Sequence, residues 1–267
     1  MHNADAAIGI FDSGVGGLTV AGQIMKLLPN ESIIYLGDTA RVPYGTKSSD
    51  TVVRYATACA DILVNRGIKL LIVACNTASA HAITILQDTY SIPVVGVVEP
   101  GAQAAVQASR GGVIGVIGTE GTIKSEVYTR AIHTIASDAQ ISSVSCPLFV
   151  PLAEEGWIEG PIPSQVAQKY LSRLRIDDMD TLVLGCTHYP LLTKTIQQTI
   201  GERVTLVDSA KATARVVEEI LTELHQAANA EELPIHEYLV SDDPNKFRTV
   251  GESFLGQYID TVEWLDF

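Results

Sequence analysis

Seven short apolar runs, each followed by a stretch with helical spacing, recur along the chain and leave few folds open to it. The runs are residues 7–11, 32–36, 70–74, 94–98, 113–117, 181–185 and 204–207. Strands covered by helices on both faces need continuous apolar runs of this kind, and strand–helix alternation marks parallel βαβ units. Helices are predicted over residues 18–28, 49–66, 78–90, 122–135, 163–174, 190–200 and 210–226. In the last of these, Val216, Val217, Ile220, Leu221 and Leu224 share one face, and Ser209 is a candidate N-cap. Hydrophobic residues make up 46% of the chain but aromatic ones only 6%, so small aliphatic side chains must fill the core.

No Pro/Gly-rich linker or low-complexity tract divides the 267 residues, yet the chain echoes itself. Leu70-Leu-Ile-Val-Ala-Cys75-Asn-Thr77 and Thr181-Leu-Val-Leu-Gly-Cys186-Thr-His188 share a strand, a terminal cysteine, a polar pair and a following helix. Ile8-Gly-Ile-Phe-Asp12-Ser and Ile114-Gly-Val-Ile-Gly-Thr119 form a second pair. Two lobes of related design would account for both echoes.

The formal net charge of −13 supplies no basic footprint for nucleic acid or an anionic membrane. No apolar run approaches the ~18 residues of a membrane span. Residues 1–7 lack the basic and apolar regions of a secretory signal, so a soluble cytoplasmic protein is expected. The four cysteines, at positions 59, 75, 146 and 186, contain no CxxC pair and fit neither a zinc site nor a small disulfide framework. In a reducing compartment they are expected as free thiols.

Two of the four stand out by position. In open α/β sheets ligands sit beyond the carboxyl ends of the strands, and Cys75 and Cys186 both fall there. Each also precedes a helix, whose N-terminal dipole favours a thiolate. Free cysteines more often act as small buried hydrophobes. That plainer reading suits Cys59, inside a helical pattern, and Cys146, in an edge segment before Pro147.

Asp12 and Ser13 end the first strand in a glycine-rich segment, 11–17, where they either cap the next helix or face a ligand. Its glycines would let backbone N–H groups approach an anion. The segment matches neither a P-loop nor the dinucleotide G-x-G-x-x-G pattern, so no nucleotide cofactor is expected. Residues 37–46 contain a turn at Pro43–Gly45 that brings the Tyr44 hydroxyl and Gly45 backbone to the same sheet edge. His188 lies two residues after Cys186. Glu154 reads as a solvated carboxylate on a loop, and Thr119 and Thr122 as caps of the following helix.

Taken together, these motifs resemble the glutamate racemases, the bacterial enzymes that make D-glutamate for cell-wall peptidoglycan. The matching segments are FDSGVGGLTV (11–20), YLGDTARVPYG (35–45), ACNTASA (74–80), VVGVVEPGA (94–102), GVIGTEGTIKS (115–125), CPLFVPLAEEG (146–156), LGCTHYPLL (184–192) and VDSA (207–210). They follow the family order over nearly the whole chain. The resemblance implies an α/β fold of two similar lobes, each a mostly parallel sheet flanked by helices, with the active site between them. Residues 1–95 plus 209–267 would form one lobe and 96–208 the other.

It further implies an isomerase that needs neither pyridoxal phosphate nor metal. Cys75 and Cys186 would transfer protons on opposite faces of the α-carbon, Asp12 assisting the first and His188 the second, with Glu154 nearby. Asp12, Ser13, Tyr44, Gly45, Asn76, Thr77, Thr187 and His188 would bind L- or D-glutamate. The expected partner is this small molecule rather than nucleic acid or membrane, and a homodimer is one assembly the resemblance allows. Three alternatives stay open at this point: an aspartate racemase on the same scaffold, a cysteine amidase using one thiol, and a non-catalytic amino-acid binder.

Overall fold

The computed structural model describes residues 4–229 and 233–267. The reading that residues 1–7 carry no export signal thus falls partly outside the described residues. Among the described residues, ten strands form two sheets. They are β1 Ile8–Asp12, β2 Ile33–Gly37, β3 Leu70–Val73, β4 Val94–Gly96, β5 Val113–Gly118, β6 Ile141–Ser145, β7 Met179–Gly185, β8 Thr205–Asp208, β9 His236–Val240 and β10 Val262–Trp264. One sheet runs β10-β9-β2-β1-β3-β4 and the other β6-β5-β7-β8, and every pairing is parallel.

The expected two-lobe α/β architecture is present, and the internal echo is visible in it. The order β2-β1-β3-β4 in the larger sheet repeats as β6-β5-β7-β8 in the smaller. Hence β1 corresponds to β5 and β3 to β7, and Cys75 and Cys186 follow equivalent strands. Strands β1, β2, β3, β5 and β7 are buried at every position, which is why their sequences are apolar apart from Asp12 at the end of β1 and Asp180 and Thr181 at the start of β7.

Elements without such runs escaped the sequence reading. Strand β6, Ile-Ser-Ser-Val-Ser, lies at a sheet edge with one buried residue, and β10 at the other sheet's edge has none. Three helices were also missed: Val98–Ala108, Phe149–Glu154 and Pro244–Leu255. The predicted strand at 94–98 stops at Gly96, and its last residue opens the first of these helices. The predicted helix over 122–135 is two, Glu120–Lys124 and Val127–Ile135, broken at Glu126, whose φ of 55° is left-handed.

The chain crosses from the larger sheet to the smaller through helix Val98–Ala108 and returns from β8 into helix Ser209–Glu223. The cap of that returning helix is Asp208 rather than Ser209: its carboxylate accepts the Ala210 N–H at 2.9 Å. Asp208→Ala should therefore cost about 1 kcal/mol of stability by urea denaturation. A variant as stable as wild type would show that this bond contributes nothing.

Candidate active site

Apart from Glu154, the residues singled out by their chemistry arrive at or just after the carboxyl ends of parallel strands. Strand β1 delivers Asp12 and Ser13, β3 delivers Cys75, Asn76 and Thr77, and β7 delivers Cys186, Thr187 and His188. The connection after β2 contributes Pro43, Tyr44 and Gly45, and β5 ends at Thr119. These residues, apart from Asp12, line one narrow cavity between the two sheets, with Val42 and Val150 as further apolar walls. Both thiols line it and both are 6% exposed.

Around Cys75 the polar partners are few. Its thiol donates toward Ser13 Oγ at 3.6 Å and lies against the N–H of Ala78 in the first turn of helix Asn76–Thr89. Burial, together with the carboxylate of Asp12, pushes the thiol up to about 12 despite those two contacts. Cys75 is thus protonated at neutral pH. Asp12 is fully buried, and burial raises its carboxyl although the nearby His188 opposes this. One carboxylate oxygen accepts Gly14 N–H at 2.9 Å and the other Thr187 Oγ1 at 3.4 Å. Neither Asp12 nor Ser13 caps the next helix, which starts after Gly17 without a side-chain cap.

Cys186 has a different neighbour. His188 Nδ1 lies 3.8 Å from its sulfur, and His188 Nε2 lies 3.0 Å from Glu154 Oε1. Burial works against charge on the ring, but the bonds to Cys186 and Glu154 outweigh it and push His188 up to about 10. Glu154 is held below its ordinary value because the His188 bond outweighs its own burial. Phe254 packs edge-on against the imidazole with centroids 5.3 Å apart. Glu154 therefore ends a short helix and is tied to His188, where a free loop carboxylate was expected.

The Tyr44 hydroxyl donates to Asp38 at 2.5 Å, beside Cys59, and the residue lines the cavity. The glycines at 16 and 17 also serve packing. A Cβ on Gly16 would lie 2.3 Å from Thr187 Oγ1 and 2.5 Å from His188 Nδ1, and one on Gly17 would lie 2.5 Å from Asp12 Cβ. Gly16 is bare so that the other sheet's active-site turn can dock, and Gly17 so that Asp12, Tyr35 and Ala74 of its own sheet can pack. Gly45 works as Gly16 does, since its Cβ would lie 2.5 Å from Thr119 Cβ.

Thr119 does cap its helix, accepting Thr122 N–H at 3.3 Å, and its hydroxyl meets that of Thr77 at 2.9 Å across the cleft. Thr122 is the third member of this hydroxyl cluster and caps nothing. Cys59 and Cys146 are fully buried away from the cavity, burial raising both thiols. Sequence reasoning missed Tyr128, which donates to Asn76 Oδ1 at 2.6 Å, and Phe254. Both sit in amphipathic helices where an aromatic residue reads as core, and no sequence signal separates them from it. Among the described residues no group of three or more His, Cys, Asp or Glu side chains could hold a metal ion. No helix among them is long and apolar enough to cross a membrane.

The family model described as Asp/Glu/Hydantoin racemase matches residues 19–217. The curated glutamate racemase of Geobacter metallireducens is 59% identical over 250 residues, covering 94% of this chain and 93% of its own. The crystal structure of glutamate racemase isoform RacE1 from Bacillus anthracis superposes with a TM-score of 0.94 at 40% identity, covering 99% of this chain and 98% of that one. The glutamate racemase from Francisella tularensis in complex with D-glutamate superposes with a TM-score of 0.92 at 38% identity, covering 98% of both chains.

Proposed function

This chain belongs to the Asp/Glu/hydantoin racemase family as an isomerase of amino acids, and from that premise we propose that it interconverts L- and D-glutamate by two-base proton transfer. The observation that carries the proposal is the pair of thiols. Cys75 and Cys186 line one cavity from two different sheets, each with its own titratable neighbour.

The chemistry follows from the asymmetry between them. In one direction Cys186, with His188 beside it, acts as the base and takes the α-proton from one face of the substrate. The electron pair left on the α-carbon then takes the proton of the Cys75 thiol on the other face. One C–H bond breaks and one forms, and the product is the opposite enantiomer. After that turnover Cys186 carries the proton and Cys75 is the thiolate, which is the state that takes the α-proton of the opposite enantiomer. Exchange with solvent returns the pair to its starting state, with Asp12 beside Cys75 and His188 beside Cys186. By family resemblance Cys186 serves L-glutamate and Cys75 serves D-glutamate.

The carbanion forms in a site where fixed donors replace water. The Asn76 amide and the hydroxyls of Ser13 and Thr77 line the cavity as donors for the substrate carboxylates, while the Thr187 hydroxyl lines it bonded to Asp12. A cysteine amidase needs one thiol, so the matched second thiol favours the racemase. Glutamate rather than aspartate follows from the relatives, and kcat/KM for the two amino acids compares the readings directly.

With two thiols supplying both transfers, neither pyridoxal phosphate nor metal has a step to perform. Purified protein should convert L-glutamate to D-glutamate, with α-hydrogen exchange in D₂O, in buffer containing EDTA and no cofactor. Binding without exchange would reduce the chain to an amino-acid-binding protein. The same reading divides the lobes at 1–95 plus 209–267 and 96–208. It places the enzyme in the cytoplasm, supplying D-glutamate for peptidoglycan, with glutamate as its partner and a homodimer as one possible assembly.

The His188–Glu154 pair sets a pH dependence. His188 rises from 6.5 to about 10, so its contribution to stability is complete below about pH 6.5 and is lost as pH rises through about 10. Glu154, lowered from 4.5, contributes above that value and loses its contribution as pH falls through the lowered one. Glu154→Gln removes one support of the imidazolium. Its alkaline limb of kcat/KM should move to lower pH, with activity near neutrality down by about tenfold. An alkaline limb at the same pH in both proteins would remove the pair from the mechanism.

A further inference from the structure

Asn76 opens the helix that follows Cys75 and is 2% exposed, yet its Nδ2 has no hydrogen-bond partner. Buried amide groups are nearly always paired, so an unpaired one next to a cavity marks a place kept for a ligand acceptor. The other amide atom is taken, because the Tyr128 hydroxyl donates to Oδ1 at 2.6 Å.

Tyr128 belongs to helix Val127–Ile135, which packs on the opposite sheet's side of the cleft, and is itself 2% exposed. Its ring is wedged where the chain passes between the lobes. A Cβ on Gly101, in the first crossover helix, would lie 3.1 Å from the phenol oxygen and 3.0 Å from Cβ of Ser209, at the second crossover. A Cβ on Gly185, directly before Cys186, would lie 3.1 Å from Tyr128 Cε2. One ring thus touches the first crossover, the strand end before one thiol and the amide after the other.

Resting on the glutamate reading above, we propose that Tyr128 is a positioning residue that orients the Asn76 amide, with its NH₂ toward the substrate carboxylate, through a hydroxyl held at the meeting of the two lobes. Tyr128 does not line the cavity. It acts through Asn76, and it makes the amide's orientation depend on the lobes being docked.

In Tyr128→Phe the ring stays and only the hydroxyl leaves. KM for both enantiomers should rise about tenfold with kcat within about threefold, because the carboxylate contact exists in ground and transition states alike. A purely structural ring would lower the melting temperature and leave KM in place. Asn76→Ala should raise KM at least as much, and adding Tyr128→Phe to it should change KM no further. A wild-type KM in Tyr128→Phe, or two effects that multiply in the double variant, overturns the proposal.

Asn76→Asp is a second probe. It keeps an acceptor for Tyr128 while placing an anionic oxygen where the NH₂ stood, so the protein should fold and its KM should exceed that of either other variant. An unchanged KM there also overturns the assignment. Wild-type turnover of glutamate is the separate check on the underlying reading. If that turnover is present and Tyr128→Phe is unaffected, only the positioning role fails.

Discussion

In Cys186→Ala, racemisation of both enantiomers should fall by at least about 10³-fold, because the wall that supplies or removes a proton on one face is gone. Cys75→Ala should fall as far, since each turnover uses both faces. The two variants should differ in hydrogen exchange. Cys186→Ala keeps Cys75 with Asp12 beside it, and should exchange the α-hydrogen of D-glutamate in D₂O without inverting it. Cys75→Ala keeps Cys186 with His188, and should exchange that of L-glutamate. NMR of the α-hydrogen together with chiral chromatography measures exchange and inversion separately. A single variant that racemises at a rate near wild type would end the two-thiol mechanism.

Gly16→Ala should lower kcat about 100-fold while leaving the protein folded. The added methyl would stand 2.3 Å from Thr187 Oγ1, 2.5 Å from His188 Nδ1 and 2.6 Å from His188 Cε1, so the turn after Cys186 must give way. It has little room to do so gently. Thr187 is bonded to Asp12, and His188 is held between Cys186, Glu154 and Phe254. A displacement near 1 Å at a proton-transfer site costs on the order of 100-fold, whereas overpacking costs about 1–3 kcal/mol of stability. Loss of kcat with a modest fall in melting temperature is the expected pattern. Wild-type kcat in this variant would show that docking at Gly16 does not position His188.

Much of the fold is legible because burial leaves a local record. Leu70-Leu-Ile-Val73 and Leu182-Val-Leu184 are apolar throughout since helices cover both faces of their strands. Where a strand is at an edge, as with Ile-Ser-Ser-Val-Ser at 141–145, one buried residue is too little to leave that record. Helix Val98–Ala108 is hidden for the opposite reason: its first residue continues the apolar run of β4, so periodicity alone sees one strand. The two reactive-looking cysteines are legible from their repeated strand–cysteine–polar–helix context. The pairing of Glu154 with His188 is not, because the sequence there offers only an acidic residue beside an apolar segment.

By itself the sequence determined the parallel α/β class, the doubled design and the two strand ends that carry Cys75 and Cys186. Each of these is written in residues close together along the chain. Tertiary structure alone decided which side chains face one another across the cleft. Asp12 meets Thr187 from 175 residues away, and Asn76 meets Tyr128 from 52 away. It also decided that Gly16 and Gly17 are bare to admit neighbouring side chains, and that the Tyr44 hydroxyl is bonded to Asp38. Periodicity reports whether a residue is buried, whereas its partner is chosen by close packing of elements distant in sequence, and that choice leaves no local trace.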